Sequence, residues 1–404
     1  MEENNLVDFF TTYLEKEPLF KDKSVLQSNF TPETIPHREE QIKTIANILA
    51  PALKLEKPSN LFIYGKTGTG KTVTIKFVAK NIEKIAKERN IPLKIIYLNC
   101  KLKKIADTEY RLAARIIREF GHEIPATGLP TDEVYKTLFE LIDEKKQLIL
   151  LILDEIDQLV KKSGDEVLYN LTRVNAELKN SQISIIGISN DLIFIDHIDP
   201  RVKSSLSEEE IVFPPYNAIQ LQSILLQRAE KAFKPNVLEE GVIEKCAAYA
   251  AREHGDARRA LELLRVAGEI AERQNNSKIK IEHIDQAEDK IEKDRILDIV
   301  KTQPKQHQAT LLAILNIFNQ TNSRPIFTGE VYELYKQICL KTSLRPLTQR
   351  RISDIISELD MLGIISAKVI SKGRYGRTRE IASAISHTTQ PKIKAILEEA
   401  LNLK

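Results

Sequence analysis

Residues 65–72 read GKTGTGKT, which fits the pattern G-x-x-x-x-G-K-[ST]. Average residue frequencies give that pattern a chance occurrence of about one in a hundred for a chain this long, so the match carries weight. Each position has a task on a polyphosphate. Gly65, Gly68 and Gly70 let the backbone bend until its N–H groups converge on phosphate oxygens. Lys66, Thr67, Thr69 and Val73 complete the loop and the helix entry behind it, whose N-terminus adds partial positive charge. Lys71 reaches the β and γ phosphates, and Thr72 holds Mg²⁺. Such a loop needs an acidic partner on another strand end. LILLILDEID (148–157) provides it, with Asp154 as a metal ligand and Glu155 as general base toward a water. A further apolar run, ISIIGIS (183–189), ends in Asn190, a polar group suited to orienting that water.

These groups need elements to hold them. The loop lies between NLFIY (60–64), a buried-strand run, and VTIKFVAKNIEKIAKE (73–88), a helical one. PHREEQIKTIANILAPAL (36–53) has helical spacing, and IPLKIIYLNC (91–100), LILLIL (148–153) and ISIIGIS read as three more strands. Strands alternating with helices predict an α/β domain with a parallel sheet. After FPPY (213–216) the strand signals fade. Three helices are expected at 218–234, 239–254 and 257–273, then a short one at 281–298, with KTQPKQ (301–306) as a linker. Helices at 307–320, 328–341 and 348–362 follow, then two strand-like runs, SAKVIS and TREIAS, around GRYG, and a last helix. Three helices and a hairpin make a winged helix. The expected domains are a nucleotide-binding base at 1–215, with a helical insertion at about 104–135, a helical lid at 216–298 and a winged helix at 299–404.

With 404 residues, 42% apolar and 29% charged, the chain has material for two or three domains with sizeable cores. Cys100, Cys246 and Cys339 lie too far apart for a disulfide framework or a zinc pattern. The start, MEENNLVDFF, lacks a signal-peptide layout, and no apolar run approaches the ~18 residues of a membrane span. A cytoplasmic protein without a membrane partner is expected. The net charge of +3 hides an asymmetry. Residues 295–404 carry 17 Lys and Arg against 9 Asp and Glu, or +8, while 1–294 carry 43 against 48, or −5. The basic end points to a polyanion.

Within that end, Thr348 is a plausible N-cap, and Ile352, Ile355, Ile356, Leu359 and Leu362 form one apolar stripe. Thr348, Gln349, Arg350 and Arg351 stay at the helix N-terminus, the part that helix-turn-helix readers insert into the major groove. Lys372, Arg374, Arg377 and Arg379 on the hairpin suit phosphates or a minor groove, and Tyr375 suits packing on a sugar. If all six cations met phosphates, affinity would fall roughly a thousandfold between about 50 and 200 mM salt.

In their order along the chain, the phosphate loop, DEID, Asn190 and GDARRALELL (255–264) resemble the AAA+ ATPases. The resemblance implies a sensor 1 role for Asn190 and a sensor 2 role for Arg258, with Arg259 as the alternative one register on. It makes Arg201, in DPRVKSSL (199–206), the candidate arginine finger acting in trans on a neighbour's nucleotide. PHREEQ, RVKSSL followed by FPPY, GDARRALELLRVAGEIAE and the winged helix narrow the match. From about residue 30 onward the chain resembles the archaeal origin-recognition and helicase-loader initiators, related to eukaryotic origin recognition complex subunit one and the cell-division-cycle loader. That family implies ATP or ADP with Mg²⁺, an adenine pocket bordered by His37, Arg38 and Tyr216, and approach of Arg228. It also implies DNA contacts from the insertion, here Arg111, Arg115 and Arg118 on one helix face. The implied function is an ATP-dependent replication initiator that binds double-stranded origin DNA and helps recruit or load the replicative helicase, of minichromosome maintenance type. Slow hydrolysis acts as a switch, and other copies or paralogues join it on DNA near the nucleoid. Two alternatives stay open: a nucleotide-binding winged-helix DNA regulator without loader activity, and a clamp-loader-like ATPase. The second predicts a helical collar in place of the basic winged helix.

Overall fold

Short apolar runs that stop at a glycine or an acid become the strands of a parallel sheet, and the polar residues that end them line one edge. The structure, a computed structural model, describes residues 17–27, 30–101, 108–125, 128–194, 198–206, 208–320, 326–371, 377–385 and 389–403. The chain divides into two units, one ending at Ile284 and the other starting at Asp285.

In the first unit, β1 (Leu61–Tyr64), β2 (Leu93–Asn99), β3 (Leu148–Asp154), β4 (Gln182–Ser189) and β5 (Glu209–Val212) form one sheet in the order β2-β3-β4-β1-β5. Every pairing is parallel. The period of two puts alternate residues of β3 on opposite faces. Leu148, Leu150 and Ile152 join a core with Ile45, Leu49, Ile75 and Val78, while Ile149, Leu151 and Leu153 join another with Leu112, Ile117, Leu138 and Leu168. The first core belongs to α1 (Glu39–Leu49) and α2 (Lys71–Glu88). The second belongs to α3 (Glu109–Glu119), α4 (Thr131–Asp143), α5 (Ile156–Ser163), α6 (Glu166–Arg173) and α7 (Pro200–Leu206). The fifth strand was not anticipated from sequence. It lies at the sheet edge, pairs only with β1 and buries only Ile211 of its four residues, so it carries no apolar run.

The described part of the region expected as an insertion holds α3 and the start of α4. Leu112, Ile116 and Ile117 of α3 are buried in the sheet's core, so this helix is a packed layer element. Beyond the sheet, α8 (Ala218–Ala232), α9 (Val242–Arg252) and α10 (Ala257–Arg273) form a helical subunit. Asn217 opens α8 with a reciprocal capping box, and the Asp256 carboxylate caps α10. The segment 17–27 lies on these helices, where Phe20 stacks on Phe233 at 4.6 Å between centroids and Lys23 pairs with Glu272 at 2.7 Å.

The expected short helix and linker are corrected. α11 runs over 22 residues, Ile281–Thr302, across the division, and only Gln303 and Pro304 separate it from α12 (Lys305–Gln320). Proline's preset φ suits a helix start, and the Pro304 carbonyl accepts from the His307 and Gln308 amides.

The second unit continues with β6 (Ile326–Phe327), α13 (Thr328–Lys341), α14 (Gln349–Met361), β7 (Ile365–Ser371), β8 (Arg377–Ser383) and α15 (Gln390–Ala400). The strands form an antiparallel sheet, β6-β8-β7, over a core that includes Tyr335, Ile352, Ile355, Ile356, Leu359 and Ile381. β6 has two residues, too few for a period to show. This is a winged helix. Among the described residues, no helix is long and apolar enough to cross a membrane.

Candidate functional site

Parallel strands bring their C-terminal ends to one edge, and the order β3-β4-β1 sets three of them side by side. Tyr64 pairs with Ser189, and Ile188 with Asp154, so the phosphate loop, Asn190 and the Asp-Glu pair begin at one level. Lys66 and Thr67 form the exposed tip of that loop, while Thr69 is buried and donates its hydroxyl to the Lys66 carbonyl. Two of its glycines are required by geometry. At Gly68, φ is 69° and an added Cβ would lie 1.7 Å from an Asp256 carboxylate oxygen. At Gly70, φ is 93° and an added Cβ would lie 2.7 Å from the Tyr216 hydroxyl. The Ala257 amide also donates to the Gly68 carbonyl at 3.2 Å, so the start of α10 rests directly on the loop.

Behind the loop, Lys71 is only 4% exposed and donates to the Gly65 and Lys66 carbonyls at 2.7 Å each. Burial pushes its ammonium down to about 8; Arg258 adds to that shift, and Asp154 opposes it. Thr72 donates its hydroxyl to Asp154 Oδ2 at 2.9 Å. Tyr97, which sequence reasoning missed, donates its phenol to the same oxygen at 2.6 Å. Asp154 Oδ1 accepts the Glu155 amide at 3.0 Å. Glu155 itself sits at φ 55° and ψ 46°, a left-handed conformation that costs a non-glycine residue about 1–3 kcal/mol. Its carboxylate lies 3.4 Å from the Lys101 ammonium.

A second unanticipated group is Asp157, 3% exposed beneath the site. It accepts from the Ser189 hydroxyl at 3.4 Å, and Lys161 bridges it to Asp191 at 3.7 and 3.2 Å. Ser189 also accepts from the Asp191 amide, so the residues on both sides of Asn190 are tied down.

A cavity of about 430 Å³ opens over this edge, lined by Thr72, Asp154, Glu155, Asn190 and Arg258 among others. Gln27 and residues 30–36 wall it on one side, and α8 and the start of α10 on another. No helical or strand period marks that segment, so sequence reasoning left it irregular. Arg228 of α8 lines the cavity, lies over Phe30 at 4.5 Å and donates to the Val25 carbonyl, and burial pushes its guanidinium down. Arg259 bonds Glu253 at 3.0 Å, which favours Arg258 as the residue at the cavity.

Tyr216 lines the cavity at 4% exposure. Arg38, expected beside it at a nucleotide, is placed instead behind the loop. It is 2% exposed and donates to the Thr69, His37 and Pro214 carbonyls, with its guanidinium 3.9 Å from the Tyr216 ring centroid. It braces the loop against the FPPY segment. His37 has φ 62° and a buried Nε2 with no hydrogen-bond partner among the described residues. Arg201 on α7 is exposed, lies outside the cavity wall and holds Asp199 through two nitrogens at 2.9 and 3.1 Å. That pairing holds the Asp199 carboxyl at about 2.

On α3, Arg111 and Arg115 are half-buried and Arg118 is exposed, with Arg115 paired to Glu119 at 3.2 Å. In the winged helix, Thr348 caps α14 by accepting from the Arg351 amide, and Gln349 and Arg350 are exposed. Arg351 is engaged with Glu358 at 3.0 Å, and Glu358 also meets His307 at 2.5 Å. Arg379 shares the inward face of β8 with Ile381 and donates to the Ser353 hydroxyl at 3.2 Å, so it ties the wing to α14 and is not a free finger cation. Lys372, Arg374, Tyr375 and the side chain of Arg377 lie outside the described residues.

A parallel sheet with a phosphate loop, an Asp-Glu pair and a polar strand end, followed by a helical lid and a winged helix, defines an AAA+ ATPase fold joined to a DNA-binding type of domain. A family model described as an AAA domain matches residues 55–192, one for the Cdc6 AAA+ ATPase-type lid domain matches 222–289, and one for the CDC6 C-terminal winged helix domain matches 298–389. The ORC1-type DNA replication protein of Pyrococcus abyssi is 57% identical over 384 residues, 94% of this chain and 91% of that one. Its counterpart in Pyrococcus furiosus is 56% identical over 396 residues, 97% and 93% of the two chains. The solved structure of the Aeropyrum pernix ORC1 protein in complex with DNA is 44% identical with a TM-score of 0.82, covering 96% of this chain and 100% of that one. The chain belongs to the ORC1-type DNA replication protein family, the AAA+ initiators with a C-terminal winged helix.

Lys71 gives the site a pH dependence. A polyphosphate raises the pKa of a lysine it touches, so binding near pH 8 must take up a proton. Nucleotide affinity is therefore expected to be flat below about pH 7 and to fall as pH rises through about 8. Calorimetry in two buffers of different ionisation enthalpy will show net proton uptake at pH 8; proton release there would contradict the assignment.

Proposed function

We propose that this chain is an ATP-dependent DNA replication initiator that binds origin duplex DNA and helps recruit or load the replicative helicase, with weak ATP hydrolysis as its switch. The observation that carries the nucleotide half is the Thr72–Asp154 contact at 2.9 Å beneath a glycine loop that ends in a buried lysine. A hydroxyl and a carboxylate are hard oxygen donors of the kind Mg²⁺ takes alongside phosphates. Bound Mg-ATP supplies the electrophilic γ phosphorus and the charge to be stabilised.

The chain's own residues do the rest. Lys71 leaves the loop carbonyls for the phosphates, and Arg258 meets them from the lid side. Thr72 and Asp154 would hold the metal. Glu155, fixed in a strained backbone, takes the proton of the attacking water, which Asn190 orients. Arg201, on the exposed α7, acts on a neighbouring copy's nucleotide after releasing Asp199. Phe30, Tyr216 and Arg228 surround the base. Because the start of α10 rests on Gly68 through Ala257 and Asp256, occupancy of the loop bears on the lid's position, which supports a switch role.

The DNA half is supported by the basic winged helix and by the DNA in the solved Aeropyrum structure. Thr348, Gln349 and Arg350 at the exposed start of α14 approach the major groove, the wing residues approach the backbone, and α3 adds Arg118. The helicase, and other copies or paralogues, are proposed as partners on the family's resemblance.

Two variants test the halves separately. Glu155→Gln is expected to keep ATP affinity and to lose hydrolysis by about 10²–10⁴-fold in a phosphate-release assay. Unchanged turnover would remove Glu155 as base, and a wild type that binds without turnover would make the nucleotide a ligand only. Arg350→Ala is expected to weaken origin-duplex binding and to make the slope of log affinity against log salt shallower by about 1. Affinity and slope equal to wild type would place the groove contact elsewhere.

A further inference from the structure

We infer that Tyr97 is a positioning residue for the nucleotide and metal site, acting through Asp154; the inference rests on the reading of Asp154 proposed above. Tyr97 lies on β2, opposite Ile152 of β3, and two residues further on Asn99 faces Asp154. Its phenol reaches past the strand end and donates to Asp154 Oδ2 at 2.6 Å. The same oxygen accepts from Thr72 at 2.9 Å, and Oδ1 accepts from the Glu155 amide at 3.0 Å. An ionised carboxylate has about four lone-pair directions, so donors from β2, α2 and the turn into α5 occupy three of them. Asp154 is 3% exposed, which leaves little water to substitute for a lost donor.

A metal held at the Thr72 hydroxyl oxygen would make the orientation of the Asp154 carboxylate beside it matter. A hydroxyl that gives a lone pair to a metal keeps its O–H, so Thr72 could still donate to Asp154, and Tyr97 would be the second side-chain donor that fixes the carboxylate's plane. The ring is itself held, with the Lys76 ammonium 4.0 Å from its centroid, and Lys76 lines the cavity where Tyr97 does not. Tyr97 therefore touches neither phosphate nor base. Groups that orient a ligand in this way typically change metal affinity by about 10–100-fold when removed.

The test uses the full chain with Tyr97→Phe, which keeps the ring and removes only the donor. A fluorescent ATP analogue is titrated with EDTA and across a Mg²⁺ series. The expected result is unchanged affinity in EDTA and an increase of about tenfold in the Mg²⁺ concentration needed for half of the tightening. Asp154→Asn should abolish the Mg²⁺ response, and a merely structural role for Tyr97 would show instead as weaker binding in EDTA. Should Tyr97→Phe fold poorly, Tyr97→His, which keeps a donor on a ring, is expected to retain more of the Mg²⁺ response than Tyr97→Leu. A Mg²⁺ response in Tyr97→Phe equal to wild type overturns the inference alone. A wild type whose affinity ignores Mg²⁺ overturns the proposed nucleotide reading and this inference with it.

Discussion

One buried carboxylate organises the first unit. Asp154 ends a strand whose seven residues are all buried, and it accepts from groups on three separate elements. A charge so enclosed persists only when its lone pairs are satisfied and an opposite charge is near. Lys71 supplies that charge and, with Arg258, forms a small electrostatic system at the strand ends. Under the proposed function, ligand phosphates and a cation entering there would exchange partners within it instead of creating a site from nothing. The ammonium, held by two loop carbonyls, is the group that can change partners, while the Thr72 hydroxyl keeps lone pairs open as it donates to Asp154.

The surroundings keep this system in register. Arg38 is a buried guanidinium whose hydrogen bonds go to backbone carbonyls and whose plane lies against Tyr216. It joins the loop, the segment before α1 and the FPPY segment, so the three share a fixed point. The start of α10 touches the loop on its other side through Asp256 and Ala257. In the winged helix, Arg379 and Ser353 connect wing and α14, and the Arg351–Glu358–His307 chain connects α14 to α12. Some of the basic residues therefore hold the domain's shape, and Arg350 is left among those open to solvent.

Much of this was legible in the sequence because it is local. The loop GKTGTGKT, the apolar runs of β1 to β4 and the helix stripe from Ile352 to Leu359 each announce themselves within a dozen residues. What escaped is non-local or too short. Tyr97 and Asp154 are 57 positions apart, and only the parallel register of β2 and β3 brings them together. β5 carries three acidic residues in and beside it and buries one side chain, so no pattern marks it. Arg38 was expected at an adenine pocket on the family's resemblance, and its burial follows from carbonyls contributed by Thr69 and Pro214, which no spacing rule connects. Arg379 follows the same lesson: with Ile381 fixed in the core, the strand period turns it inward.

The most direct measurement of the central claim is a crystal structure of the full chain grown with a non-hydrolysable ATP analogue and Mn²⁺ in place of Mg²⁺. The account predicts an anomalous Mn²⁺ peak bonded to the Thr72 hydroxyl oxygen, with Asp154 bound directly or through one water and still accepting from Tyr97. A manganese peak remote from Thr72 and Asp154, or a phosphate chain that leaves Lys71 on the Gly65 and Lys66 carbonyls, would contradict it.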